Sequence, residues 1–139
     1  MATSISGSHS VSSITRCVLV VEDDPLTQQH LETMIESAGY SVTSVSTLHQ
    51  AREATAAVFF PIVVIDRLLE DGDGISLCSD LRRRTGQGRA FLLVFSVLDS
   101  PHAIAEGMRA GADAYLSKRS SDAELLAYLD AATRVSQLS

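Results

Sequence analysis

The 139-residue chain is poor in several things, and each shortage narrows what it can do. It has no basic excess: 11 Lys and Arg stand against 17 Asp and Glu, a net charge of −6. That balance lacks the positive footprint of a nucleic-acid binder. No apolar run approaches the roughly 20 residues that span a bilayer. No charged segment leading into an apolar stretch opens the chain, so no secretory leader is expected. There are only two cysteines, Cys17 and Cys78, inside apolar segments and without metal-type spacing. Buried, reduced thiols of a cytoplasmic protein are the expectation. The four histidines are scattered, none at ligand spacing from a cysteine or carboxylate. No GxxxxGK[ST] loop is present, so the chain is not built to hold a nucleotide by itself. No internal repeat or second domain is visible.

What the chain does have is a 45% hydrophobic composition, enough for one real core. Residues 1–15 are Ser-rich and apolar-poor, which predicts a disordered tail or linker; residues 16–139 are expected to form one domain. Five apolar segments then recur. Cys17-Val18-Leu19-Val20-Val21 stops at Glu22-Asp23-Asp24. Val42 and Val45 mark a second, edge-like strand. Pro61-Ile62-Val63-Val64-Ile65 stops at Asp66, before the loop-like Glu70-Asp71-Gly72-Asp73-Gly74. Phe91-Leu92-Leu93-Val94-Phe95 stops at Ser96, and Ala114-Tyr115-Leu116 leads to Lys118. Unbroken β-branched runs of this length read as parallel strands buried on both faces.

Helical patterns fill the gaps. Asp24 fits an N-cap and Pro25 the first helical position, with Leu31, Met34, Ile35 and Ala38 at helical spacing and Gly39 as terminator. Residues 47–58 form a second helix. A third begins near Gly74, and its Arg82-Arg83-Arg84 end reads as a solvated tip complementing the helix dipole. Ser100-Pro101 opens a fourth that ends at Gly111. Residues 121–135 form a fifth, with Ser121 and Glu124 at capping-box spacing. Alternating strands and helices predict an α/β fold with helices on both faces of a parallel sheet.

In such a sheet the carboxyl ends of the strands share one rim, where chemistry is usually placed. By position alone Asp66 suits a reactive group and a loop-capping residue about equally. The other strand ends weigh in: Glu22 and Asp23, Ser96, and Lys118 arrive at the same rim. Three close carboxylates repel unless a cation offsets them. Oxygen-only ligands suit a hard ion, Mg²⁺ rather than zinc. A lysine and a hydroxyl beside one carboxylate suit phosphoryl transfer onto that carboxylate, Asp66.

With these residues in view, the chain resembles the receiver (phosphoacceptor) domain of two-component response regulators. The resemblance rests on Val18-Leu19-Val20-Val21-Glu22-Asp23-Asp24-Pro25, the Asp66 strand with Asp73-Gly74, Val94-Phe95-Ser96, and Gly111-Ala112-Asp113-Ala114-Tyr115-Leu116-Ser117-Lys118. The intervals agree as well: 43 residues from Asp23 to Asp66, 30 from Asp66 to Ser96 and 52 from Asp66 to Lys118.

The resemblance implies a flavodoxin-like (βα)5 sheet in the order 2-1-3-4-5. It implies that Asp66 accepts a phosphoryl group from a histidine kinase or histidine phosphotransfer protein. It implies Mg²⁺ on Asp23, Asp66 and the Leu68 main-chain carbonyl, with Glu22 acting through water. Lys118 would pair with the phosphoryl oxygens, Ser96 would move toward them, and Tyr115 would swing inward. The output would be a changed surface on the fourth helix, fifth strand and fifth helix, read by an output domain, a partner or a second copy. Ile104, Met108 and Leu126 are its candidate contacts. The chain would be a cytoplasmic signalling protein rather than an enzyme, though one with self-phosphorylation and autodephosphorylation chemistry.

Four positions depart from the family pattern. Arg119 stands where Pro, in a cis peptide, usually follows the lysine, so a trans bond is expected here. Glu70 replaces a common Pro, Val97 replaces a small residue, and Arg67 replaces an apolar one. Arg67 could fold back onto the acidic cluster as a counter-charge. These departures keep open a degenerate receiver that acts as a phosphorylation-independent interaction module. An Asp-nucleophile phosphatase would need a second Asp where Leu68 stands. A flavin-binding module would need a Ser/Thr-rich loop after the first strand.

Overall fold

The computed structural model describes residues 16–84, 86 and 88–138. The tail expected at residues 1–15 lies outside them. Five parallel strands form one sheet: β1 (Cys17–Val21), β2 (Ser41–Val45), β3 (Ile62–Ile65), β4 (Phe91–Ser96) and β5 (Ala114–Ser117). Their spatial order is β2-β1-β3-β4-β5, the flavodoxin-like arrangement. The helices are α1 (Pro25–Ser37), α2 (Leu48–Ala57), α3 (Ile75–Arg83), α4 (Pro101–Arg109) and α5 (Asp122–Leu138). No described helix is long and apolar enough to cross a membrane.

The two-residue period of the strands splits the core in two. Val18, Val20, Ile62, Val64, Leu93 and Phe95 face α1 and α5, meeting Leu31, Ile35, Leu125 and Leu129. Leu19, Val21, Val63, Ile65, Leu92 and Val94 face the opposite layer, meeting Leu48, Ala51, Leu77 and Cys78 of α2 and α3. The four β3 residues are at most 1% exposed. Each such side chain contributes about 1.5–3 kcal/mol by burial. Burial also pushes the Cys78 thiol up to about 12, so it packs as a core residue and does not ionise.

The helix starts follow from their caps. Asp24 accepts from the Thr27 N–H at 2.9 Å and Ser100 from the Ala103 N–H at 3.1 Å. Ser121 and Glu124 form the reciprocal box. Gly39 ends α1 with φ 98°, a conformation costly for other residues.

Two local expectations are corrected. The segment after Asp66 is not a plain loop: Leu68–Leu69 pairs antiparallel with Gly72–Asp73 around the Glu70-Asp71 turn. The Arg82 end of α3 is not simply solvated. Arg82 bonds Gly111 O at 2.9 Å, Ala90 O at 2.8 Å and Asp113 at 2.5 Å, tying α3 to the approach of β5.

The register positions the rim. Val21 pairs with Ile65, so Glu22 and Asp66 leave the sheet side by side. Ile65 pairs with Val94, and Ser96 pairs with Ser117. The Lys118 N–H then donates to Ser96 O at 3.0 Å.

Candidate functional site

Glu22, Asp23 and Asp66 each offer a carboxylate oxygen, all within 4.8 Å of one another. Glu22 is 1% exposed and Asp66 5%, while Asp23 is half-buried. The Lys118 ammonium donates to Asp66 Oδ2 at 2.8 Å. It also lies 2.7 Å from Glu22 Oε1, as a charge contact outside hydrogen-bond alignment. The repulsion among the acids is thus offset in part by Lys118 itself. Burial opposes charge on Lys118, but its bond to Asp66 and the nearby Glu22 carboxylate outweigh that and raise its pKa. Burial raises the Glu22 pKa, against the Lys118 contact and the Asp24 N–H that donates to Glu22 Oε2 at 3.1 Å.

A hard divalent ion fits this donor set. Three carboxylates converge, and Glu22 Oε1 is buried with no hydrogen-bond donor. A single ammonium cannot neutralise three acids, and oxygen ligands at a half-open rim match Mg²⁺ chemistry.

The backbone around Asp66 is closely built. Asp66 N donates to Val21 O at 3.0 Å, and Leu68 N to Asp66 Oδ1 at 3.2 Å. Gly74 packs directly on this segment: a Cβ there would fall 1.9 Å from the Asp66 carbonyl oxygen. That contact is the physical reason for glycine at the head of α3.

The side chains of Ser96 and Tyr115 do not hydrogen-bond the acids or the Lys118 ammonium. Both instead engage Leu98. The Leu98 N–H donates to Ser96 Oγ at 3.2 Å, and the Tyr115 hydroxyl donates to Leu98 O at 2.5 Å. The backbone of one residue after β4, Leu98, therefore joins the two residues expected to switch. No signal in the sequence singled out Leu98.

The Lys118–Arg119 peptide is trans, since no cis peptide bond occurs among the described residues. Ser117 braces it: its hydroxyl donates to Asp99 Oδ2 at 2.8 Å and accepts from the Arg119 N–H at 3.1 Å. Ser117 and Asp99 were missed in the sequence. Arg119 itself is exposed, 3.8 Å from Asp99.

Arg67 does not turn toward the acidic cluster. Its guanidinium runs the other way, to Asp73 and to Ala103 and Glu106 of α4. A cation facing Glu22 and Asp23 would compete with Lys118, whereas the α4 side offers two carboxylates and a carbonyl. Leu126 is also relocated. It packs on the α1 side of the core and lines a groove with Met34 and Ala38, away from α4. Met108 is 42% exposed on α4 and Ile104 half-buried.

A parallel sheet with carboxylates, a lysine and a hydroxyl at the carboxyl rim defines a class of acid-centred signalling domains. Residues 18–130 match the family described as the response regulator receiver domain. The chain is 36% identical over 124 residues to the transcriptional regulatory protein GltR of Pseudomonas aeruginosa, covering 88% of this chain and 50% of that protein. It is 33% identical over 117 residues to the KDP operon transcriptional regulatory protein KdpE of Escherichia coli, covering 84% and 51%. Among solved structures it resembles the receiver domain of the Francisella response regulator 1452, with TM-score 0.81, 29% identity, and coverage of 87% and 98%. It likewise resembles the beryllofluoride-activated N-terminal receiver domain of Klebsiella pneumoniae RstA, with TM-score 0.78, 29% identity, and coverage of 85% and 98%. The chain belongs to the receiver-domain family of two-component response regulators. It spans about half the length of the curated relatives it matches.

Proposed function

We propose that the chain is a phosphorylation-dependent switch whose Asp66 takes a phosphoryl group from a phosphohistidine donor, a histidine kinase or phosphotransfer protein. The observation that carries this reading is the Lys118 ammonium at 2.8 Å from Asp66 Oδ2, beside two further carboxylates. An Asp66 oxygen attacks phosphorus while the P–N bond to the donor imidazole breaks and its electron pair returns to the ring. Lys118 balances the charge that the phosphoryl oxygens bring to the rim. Asp23, Asp66 and the Leu68 carbonyl would hold Mg²⁺, with Glu22 through water. The ion would supply charge neutralisation to the acids and the phosphoryl oxygens.

Ser96 leaves the Leu98 N–H to donate to the phosphoryl group, which loosens the Leu98 backbone whose carbonyl Tyr115 holds. The Tyr115 ring then moves inward, and the face of α4, β5 and α5 changes. Relatives named as transcriptional regulatory proteins support an output through a joined domain, a partner or a second copy on that face. The protein acts in the cytoplasm, where its donors work, and binds no nucleic acid through this domain.

Incubation with Mg²⁺ and acetyl phosphate, read by intact mass, tests the reading. One phosphoryl adduct is expected, absent without Mg²⁺ and absent in Asp66→Asn. If neither acetyl phosphate nor beryllofluoride modifies the folded protein, the phosphorylation-independent interaction module replaces it.

A further inference from the structure

Arg67 follows the acceptor directly, yet its side chain is only 5% exposed. Its partners account for the charge. Nε and Nη2 reach the two oxygens of Asp73 at 3.2 and 2.8 Å, a forked pairing. Nη1 donates to Ala103 O at 3.0 Å, and both terminal nitrogens lie 3.4 Å from Glu106 Oε1. The Asp73 bond outweighs burial and holds the guanidinium pKa above the ordinary arginine value. The Tyr115 ring covers Gly107 of α4, where a Cβ would stand 2.6 Å from it.

The backbone of Arg67 is equally committed. Its carbonyl accepts from the N–H groups of Leu69 and Gly74 at 3.1 and 2.9 Å. One residue therefore clamps the segment after Asp66 with its main chain and α4 with its side chain. The Asp73 fork fixes the guanidinium and the Ala103 and Glu106 bonds tie it to α4, so a displacement of the Asp66–Leu68 backbone must either carry α4 along or break those bonds.

Resting on the phosphoacceptor reading of Asp66, we propose that Arg67 is a positioning residue. It latches α4 and Tyr115 in the arrangement seen without a phosphoryl group, and it couples Asp66 to the α4 face. Coupling is reciprocal. Weakening the latch must therefore favour the other arrangement and tighten the binding of a phosphoryl mimic.

The test uses the whole chain labelled with fluorotyrosine, whose three tyrosines give few ¹⁹F signals. Tyr115→Phe assigns the relevant one. Glu106→Gln and Arg67→Met are compared with wild type, unliganded and titrated with beryllofluoride and Mg²⁺. The unliganded variants should move the Tyr115 signal toward its beryllofluoride-bound position. Affinity for the mimic should rise about tenfold in Glu106→Gln, the effect of removing the charge from one charge-assisted contact, and at least as much in Arg67→Met. Glu106 is 42% exposed, so Glu106→Gln should stay folded even where Arg67→Met does not. An unmoved Tyr115 signal overturns the latch. So does a moved signal with unchanged affinity, because coupling is the claim. Wild type that binds no beryllofluoride refutes the Asp66 reading instead, and a Tyr115 signal at the same position in unliganded wild type and both variants then overturns the latch.

Discussion

Lys118→Met keeps the stem of the side chain and deletes the ammonium. In the folded protein that ammonium sits 2.8 Å from Asp66 and 2.7 Å from Glu22, whose side chains are 5% and 2% exposed. At an effective dielectric of about 20, each contact is worth roughly 6 kcal/mol of gross attraction. Desolvation of the three groups consumes most of that. What remains visible is the penalty of stranding the acids, typically about 3–5 kcal/mol when one partner of a buried pair is removed. Lys118 retains 18% exposure, which favours the low end, about 3 kcal/mol. For a chain of this size that lowers Tm by about 10 °C. Mg²⁺ takes over the lost neutralisation, so the variant should gain more stability from the ion than wild type and bind it more tightly. Urea unfolding followed by circular dichroism, in EDTA and in saturating Mg²⁺, measures both quantities. A variant as stable as wild type in EDTA would refute the electrostatic reasoning. Equal Mg²⁺ increments in the two proteins would refute it as well.

Three further outcomes follow from single contacts. Gly74→Ala places a Cβ 1.9 Å from the Asp66 carbonyl. It should cost about 3 kcal/mol and weaken Mg²⁺ binding, and an unchanged melting curve would show the contact to be absent. Ser117→Ala removes the brace on the Lys118–Arg119 peptide. Stability should fall by about 1 kcal/mol and phosphorylation by acetyl phosphate should slow severalfold, whereas equal rates would separate the brace from Lys118. Asp71 accepts from the Leu48 and His49 N–H groups, which lower its pKa below the ordinary 3.8. A depressed acid stabilises above its unfolded pKa and loses that stabilisation as pH falls through the folded value. Asp71→Asn should therefore be less stable than wild type at neutral pH, and the gap should close in acid below 3.8. A gap independent of pH would assign the effect elsewhere.

The sheet was legible because its strands are buried on both faces. Val18 through Val21 and Ile62 through Ile65 had no polar alternation to confuse with a surface strand, and each run ended on an acid. The rim followed, since parallel strands must bring Glu22, Asp23, Asp66, Ser96 and Lys118 to one end. Caps such as Asp24 and Ser100 were readable because their bonds are local in sequence. Contacts set by helix placement were not readable. Arg67 finds Glu106 39 residues away only after α4 has docked. Ser96 and Tyr115 meet through the Leu98 backbone, and Ser117 meets Asp99, through loop conformations that no residue pattern encodes. Leu126 was assigned to the wrong side because one turn of α5 decides which neighbour a half-buried leucine meets.

Location of the modified atom tests the central claim most directly. Borohydride reduces an aspartyl phosphate to homoserine, which peptide sequencing identifies by position. After acetyl phosphate and Mg²⁺, homoserine is expected at position 66 alone. Homoserine at position 23, or at no position in protein whose mass shows a phosphoryl adduct, would contradict the account.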